Sequence, residues 1–312
     1  MSVGEGVTGR RVSNRRPGVH DALDPFAIAT LVALSAIWGL GQVAVKVVNM
    51  GLQPPFQAGL RSVLGCLLVL LWCRFRRISV FDRDGTLIPG IVVGLLFGAE
   101  FILIYVGFDF TSVSRGIIFI FFAPLVVAIG AHYLIPGERL TALRVVGLAA
   151  AFLGVVTAFS DQLSLPSPQA VIGDILCLIA AVLWGATTLV IKTTRLNLVA
   201  PEKVLIYQLA FSAPLMFAAV PFFGPLIRDL DWLVGLAFLY QVVVIVTASY
   251  MVWFWLIAYY PAGQLYAFTF LSPLFTVMFG ALLLSEPLSP RLLVALALVA
   301  LGIYLVSRQP RR

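Results

Sequence analysis

Apolar residues run through this chain in long uncharged blocks, without the short period-two alternation of half-buried strands. Ten blocks stand out, at approximately residues 26–48, 55–73, 87–108, 112–135, 141–159, 172–191, 204–223, 233–257, 263–284 and 291–306. Each approaches the ~20 apolar residues an α-helix needs to cross a hydrocarbon layer ~30 Å thick. The pattern predicts ten transmembrane helices and an all-α membrane protein, since backbone polar groups in lipid must be satisfied within the span. The first block follows Arg10, Arg11, Arg15 and Arg16 in the manner of a secretory leader. It is longer than a leader's apolar core and nine more blocks follow, so it reads as a retained helix. Residues 1–25 are polar and basic, and are expected to form a disordered cytoplasmic tail.

Composition agrees. Of 312 residues, 61% are apolar and 11% charged, with a mean hydropathy of +1.03. Soluble domains run at ~45–50% apolar and ~25% charged, so a soluble protein is excluded. Ten spans leave too little chain for a separate soluble catalytic domain. In such a chain the placement of the positive charges means more than their net value of +7. With the N-terminus in the cytoplasm, 16 Lys and Arg fall on that side, 4 fall outside, and Arg61 lies within the second span. Both termini are therefore expected to be cytoplasmic. The basic tail serves topology and contact with anionic lipid, and nucleic acid is not an expected partner.

The two halves repeat. Trp38-Gly39 precedes Lys46 as Trp184-Gly185 precedes Lys192, at an offset of 146. Ala123-Pro124-Leu125 matches Ser272-Pro273-Leu274, Glu138 matches Glu286, and Gly154 matches Gly302, at offsets of 148 to 149. The chain thus divides into a first five-helix repeat (26–160), an external linker (161–171) and a second five-helix repeat (172–307). Five is odd, so the second copy must be inverted. Inverted repeats place a shared site near the bilayer midplane, where one half can rock against the other.

These motifs resemble those of the EamA-type transporters of the drug/metabolite transporter superfamily. The resemblance rests on the Trp-Gly…Lys starts, the prolines within the fourth and ninth helices, and the endings Gly137-Glu138-Arg139-Leu140-Thr141 and Ser285-Glu286-Pro287-Leu288-Ser289. It implies a ten-helix secondary transporter of the cell inner membrane that moves small metabolites, often outward; aromatic amino acid exporters are among its members. Small multidrug exporters of the superfamily use a glutamate in the first helix, whereas this chain has no acid between Asp24 and Asp82.

Charges within hydrocarbon are costly, and each calls for a reason. Arg61, six residues into the second helix, and Glu100, eight residues before the outer end of the third, both sit roughly 9–12 Å below the outer surface at 1.5 Å per residue. They read either as a structural ion pair, or as a carboxylate receptor (Arg61) beside a group that takes a proton or an amine (Glu100). Their repeat-related positions hold Gln208 and Ser249. Trp38 and Trp184 lie mid-helix beside glycine, while Phe101, Tyr105, Tyr250 and Tyr266 share the depth of Thr269 and Ser272. A cavity walled by these rings would favour an amphipathic or aromatic solute. Pro124 and Pro273 free the carbonyls of Ile120 and Thr269, giving either static kinks or hinges.

The remaining features read as structure. Glu138 and Glu286 look like helix-start carboxylates, and Lys46 and Lys192 like snorkelling ends or gates. Gly90, Gly94 and Gly98 on the third helix, and Gly147, Ala151 and Gly154 on the fifth, are spaced for close helix contact. Cys66, Cys73 and Cys177 read as packing residues, and His20 and His132 have no metal-ligand spacing, so no metal, cofactor or catalytic residue is expected. The leading reading is an alternating-access secondary transporter, most specifically an amino-acid exporter and not an enzyme. Its partners are a small-molecule substrate and the bilayer, and a homodimer is compatible with it. A multidrug or cation efflux carrier is the nearest alternative, and a passive channel-like facilitator or a membrane-embedded enzyme are those of another class.

Overall fold

A computed structural model describes residues 18–111, 113–160, 167–284 and 290–308. Residues 1–17 of the expected tail, most of the linker, Glu286 with its neighbours, and the last four residues lie outside the described residues. Among those described, the chain is helical apart from one isolated bridge, Leu52 to Ile227. Nine spans are long and apolar enough to cross a bilayer, and the tenth, Arg291–Ser307, is an apolar helix of 17 residues. A belt of exposed apolar side chains, among them Phe26, Leu71, Phe75, Leu153, Leu236 and Leu293, covers the outside. A soluble monomer would not present such a surface, and lipid is the solvent it fits.

The ends of the helices follow local chemistry. Asp24 caps the first span (Pro25–Gly51), accepting from the Ala27 N–H at 2.7 Å. Thr141 caps the fifth (Ala142–Phe159) and Ser167 the sixth (Pro168–Thr193). Prolines occupy the first turns of the first, second (Pro54–Arg76), sixth and seventh (Pro201–Ala219) spans, where a missing N–H is harmless.

Glycines set how the two halves interlock. On the third span (Leu87–Phe110), Gly90 faces Tyr207, Gly94 faces Phe211 and Gly98 faces Leu215, so the third and seventh spans run parallel. On the fifth, Gly147 faces Leu305 and Val306 while Gly154 faces Ala295 and Val299, so the fifth and tenth run antiparallel. Gly59 against Phe217 and Gly65 against Leu209 make the second and seventh antiparallel too. Helices that correspond in the repeat therefore point in opposite directions, and the second half is inverted relative to the first. The first span of each half packs on the broken fourth of the other, and the third span on the other half's first and second.

The breaks themselves go beyond a kink. The fourth span divides into Val113–Ile120 and Ala123–Leu134, and the ninth into Ala262–Thr269 and Leu271–Leu284, each break falling just before Pro124 or Pro273. The eighth span contains a feature that the hydropathy pattern conceals. Between Trp232–Tyr240 and Tyr250–Tyr259, residues Gln241–Ser249 form a π-helix, with Thr247 Oγ1 donating to the Val242 carbonyl five residues back at 2.7 Å. Such stretches are rare and concentrate at functional sites.

The face where the first span begins and the tenth ends is tied by polar clasps. The Glu138 carboxylate accepts from the Ala262 and Gly263 N–H groups at 2.9 and 3.0 Å. It is a helix-start carboxylate as expected, but the helix belongs to the ninth span, because the loop before the fifth passes beside that N-terminus. Lys192 donates to the Tyr260 carbonyl at 2.6 Å, so its ammonium ends on backbone instead of snorkelling outward. The Tyr260 hydroxyl donates to Asp24 at 2.8 Å. Desolvation, and then this bond to a carboxylate, push its phenol up to about 12.

Asp84, in the loop before the third span, pairs with Lys203 at 2.8 Å and accepts from Thr86. The Lys203 bond, first among these, holds its carboxyl at about 2. A carboxyl depressed in the fold stabilises fully above its unfolded value near 3.8, and loses that contribution as pH falls through 2. Asp84→Asn should therefore melt below wild type at pH 7, with the two curves converging as the pH approaches 2. A constant difference across that range would show that the charge on Asp84 is irrelevant.

Candidate functional site

Between the halves lies a cavity of about 230 Å³. Its wall follows from how the spans start and cross. A Cβ on Gly39 would meet Phe275 at 2.5 Å, and one on Gly185 would meet Val126 at 2.7 Å. The bare backbone at each glycine lets the first and sixth spans press onto the broken ninth and fourth, which places the preceding tryptophans, Trp38 and Trp184, on the cavity. Trp253 and Tyr266 join them. Ring centroids lie 5.1 Å apart for Trp38–Trp253, 5.3 Å for Trp253–Tyr266 and 5.8 Å for Tyr266–Trp184. The result is a continuous aromatic wall drawn from both repeats.

Of the twelve side chains that the sequence nominates, eleven line this cavity: Arg61, Glu100, Trp38, Trp184, Gln208, Tyr250, Phe101, Tyr105, Tyr266, Thr269 and Ser272. Pro273 lines it as well, at the broken ninth span, whereas Pro124 does not. Ser249 stands behind the wall, where it accepts from Trp38 Nε1 at 2.9 Å and donates to the Ile245 carbonyl at 2.6 Å. Its part is to orient the indole.

Arg61 and Glu100 are 4% and 6% exposed. No salt bridge joins them, so the first of the two readings, a structural ion pair, is not met. The Arg61 guanidinium instead lies over the Phe101 ring, 4.6 Å from its centroid, and Nη1 donates to Gln241 Oε1 at 3.4 Å. The aromatic face takes up the cation, and both charges line the same cavity. Among the described residues Arg61 Nε, Arg61 Nη2, Glu100 Oε2 and Gln208 Oε1 have no hydrogen-bond partner. Buried charged groups in an apolar protein are ordinarily satisfied, so four polar atoms without partners on one cavity are unusual and leave its lining open to hydrogen bonds from outside the chain.

Several lining residues carry no signal in a single sequence. Gln42, Thr187, Thr188 and Thr276 are isolated polar residues among many, and Phe97, Phe121 and Trp253 are single aromatics in an aromatic-rich chain. Gln241 is the detectable one, a lone amide inside the otherwise apolar eighth block. Among the described residues no cluster of three His, Cys, Asp or Glu is placed to hold a metal ion. Arg115 pairs with Asp174, and Thr111 donates to the same carboxylate at 2.7 Å, fastening the third and fourth spans to the sixth.

Known proteins share this fold. A solved crystal structure superposes with a TM-score of 0.78 at 20% identity, covering 90% of this chain and 96% of its own, which establishes the common fold. Similar sequences include the uncharacterized transporter YoaV of Bacillus subtilis (strain 168), 22% identical over 281 residues, covering 88% of this chain and 94% of its own. The probable amino-acid metabolite efflux pump of Escherichia coli (strain K12) is 25% identical over 296 residues, with coverages of 89% and 93%. The model of the EamA-like transporter family matches twice, over residues 25–160 and 171–308, one match for each inverted set of five helices. The chain belongs to the EamA-like transporter family.

Proposed function

We propose that this protein exports amino acids or closely similar amphipathic metabolites by alternating access around the shared cavity, with both termini in the cytoplasm of a cell whose inner membrane holds it. The observation that carries the reading is the pair of buried, unpaired charges, Arg61 and Glu100, on an aromatic-walled cavity. A zwitterion brings one carboxylate and one ammonium group, and an aromatic or aliphatic side chain would lie against the tryptophans. The efflux-pump relative supports amino-acid cargo, and the 16-to-4 bias of Lys and Arg supports cytoplasmic termini. Halves that interlock through broken fourth and ninth spans suit rocking about those breaks, with Pro124 and Pro273 as hinges.

A second reading, efflux of lipophilic cations, draws on the same aromatic wall and on the Glu100 carboxylate alone. Binding and counterflow separate the two. Purified protein would be challenged with amino acids, nucleosides, sugars and quaternary ammonium compounds by thermal shift, where a ligand at 100 times its dissociation constant stabilises by ~2.7 kcal/mol. Stabilisation by amino acids, with faster radiolabelled uptake into proteoliposomes preloaded with the same amino acid, is expected. A response to quaternary ammonium compounds alone would replace this reading with the second, and flux without stimulation from the far side would replace the carrier with a channel.

A further inference from the structure

Behind Arg61 stands a row of side-chain amides. Gln241 accepts from Arg61 Nη1 and donates through Nε2 to Gln57 Oε1 at 3.3 Å. Gln57 in turn donates through Nε2 to Asn49 Oδ1, and the Asn49 carbonyl accepts from Arg228 Nη1 at 3.0 Å. Gln57 and Gln241 are each only 1% exposed. Three spans thus contribute to one chain of bonds that leads from the cavity to the face where the first span ends and the second begins. Amides buried in an apolar interior are costly unless bonded, and these bond in series.

The pattern of used and unused nitrogens is specific. A guanidinium offers its Nε–H and one Nη2–H side by side on a single edge, spaced to match the two oxygens of a carboxylate. Those are the two Arg61 nitrogens without partners, whereas Nη1, away from that edge, is the one engaged by Gln241. Phe101 covers one face of the same group. Gln241 opens the π-helical stretch of the eighth span, so the irregular turn and the grip on Arg61 occur at one place.

We propose that Gln241, braced by Gln57 and Asn49, is a positioning residue that holds Arg61 by Nη1 and so presents its Nε/Nη2 edge as a fixed two-pronged receptor for a carboxylate. The inference rests on the amino-acid reading above and adds what sets its selectivity: an α-carboxylate is taken and the corresponding carboxamide refused, because the amide returns one acceptor and one donor to a site that offers two donors.

The test compares L-phenylalanine and L-leucine with their α-carboxamides, titrated calorimetrically into the purified full-length protein. Wild type should prefer the acids by roughly ten-fold or more, the scale of one charge-assisted hydrogen bond. Gln241→Met, similar in length and unable to accept from Arg61, should weaken the acids by about ten-fold and leave the carboxamides nearly unchanged, collapsing the ratio. Gln57→Met, one link farther away, should act in the same direction to a smaller extent, and carries the test if Gln241→Met does not fold. A packing defect would weaken acid and carboxamide alike. Acids bound by wild type with a ratio that neither variant changes would overturn the positioning role and leave the amino-acid reading standing. Wild type that binds neither acid would remove both.

Discussion

Arg61→Gln is expected to lower the affinity for a carboxylate-bearing substrate by about 30- to 1,000-fold, while the ligand-free protein melts at a higher temperature than wild type. Both effects come from the same isolation. A cation that is 4% exposed, with two of its three nitrogens unpartnered, carries a desolvation cost that Phe101 and one long bond to Gln241 offset in part. Glutamine removes that cost, so the empty protein gains stability. Substrate, by contrast, loses charge-assisted bonds that contribute ~2–4 kcal/mol together, the range quoted above once converted. Opposite signs for stability and binding are the mark of a residue kept for function. Equal transport by Arg61→Gln and wild type, under non-saturating substrate, would place the solute elsewhere. A parallel loss of stability and transport would make Arg61 a structural residue.

The largest effect on folding is expected from Gly302→Leu. Lipid tails are as apolar as leucine, so helices inside the bilayer associate through close packing and not through burial from water. The fifth and tenth spans meet at Gly147, Ala151 and Gly154 on one side and Gly302 with its neighbours on the other. A Cβ on Gly302 would lie 2.6 Å from Ala151 Cβ and 2.7 Å from its backbone nitrogen, and would also strike the Gly147 carbonyl. Two of those obstacles are backbone and cannot move aside as a rotamer can. Overpacking of this kind costs ~1–3 kcal/mol where neighbours adjust, and these adjust poorly. Size-exclusion profiles should show loss of the monodisperse peak, or a melting temperature lower by several degrees. Gly235→Leu provides the control, since nothing lies within 4 Å of a Cβ built there. If both variants behave like wild type, the fifth and tenth spans do not meet as described.

The membrane class, the long apolar spans and the duplication are legible in the chain alone, because each depends on periodicity or composition, which are one-dimensional. The sequence also nominated Arg61, Glu100 and the paired tryptophans, since a charge or a repeated aromatic inside an apolar run is conspicuous without coordinates. The glycine spacing likewise announced faces for close contact, though not which helix each would meet. Tertiary structure decided the rest. Whether Arg61 and Glu100 pair depends on side-chain geometry and on the Phe101 face that Arg61 covers, and neither is a property of spacing. Glu138 was legible as a helix-start carboxylate, yet its helix lies 124 residues on, beyond what local context can assign. The π-helix at Gln241–Ser249 leaves apolar content unchanged, so hydropathy passes over it. Trp253 resembles many other aromatic residues until folding sets it in a wall of rings. Composition and period specify which segments enter the bilayer. Only the packing of ten helices specifies which of their polar atoms are left without partners.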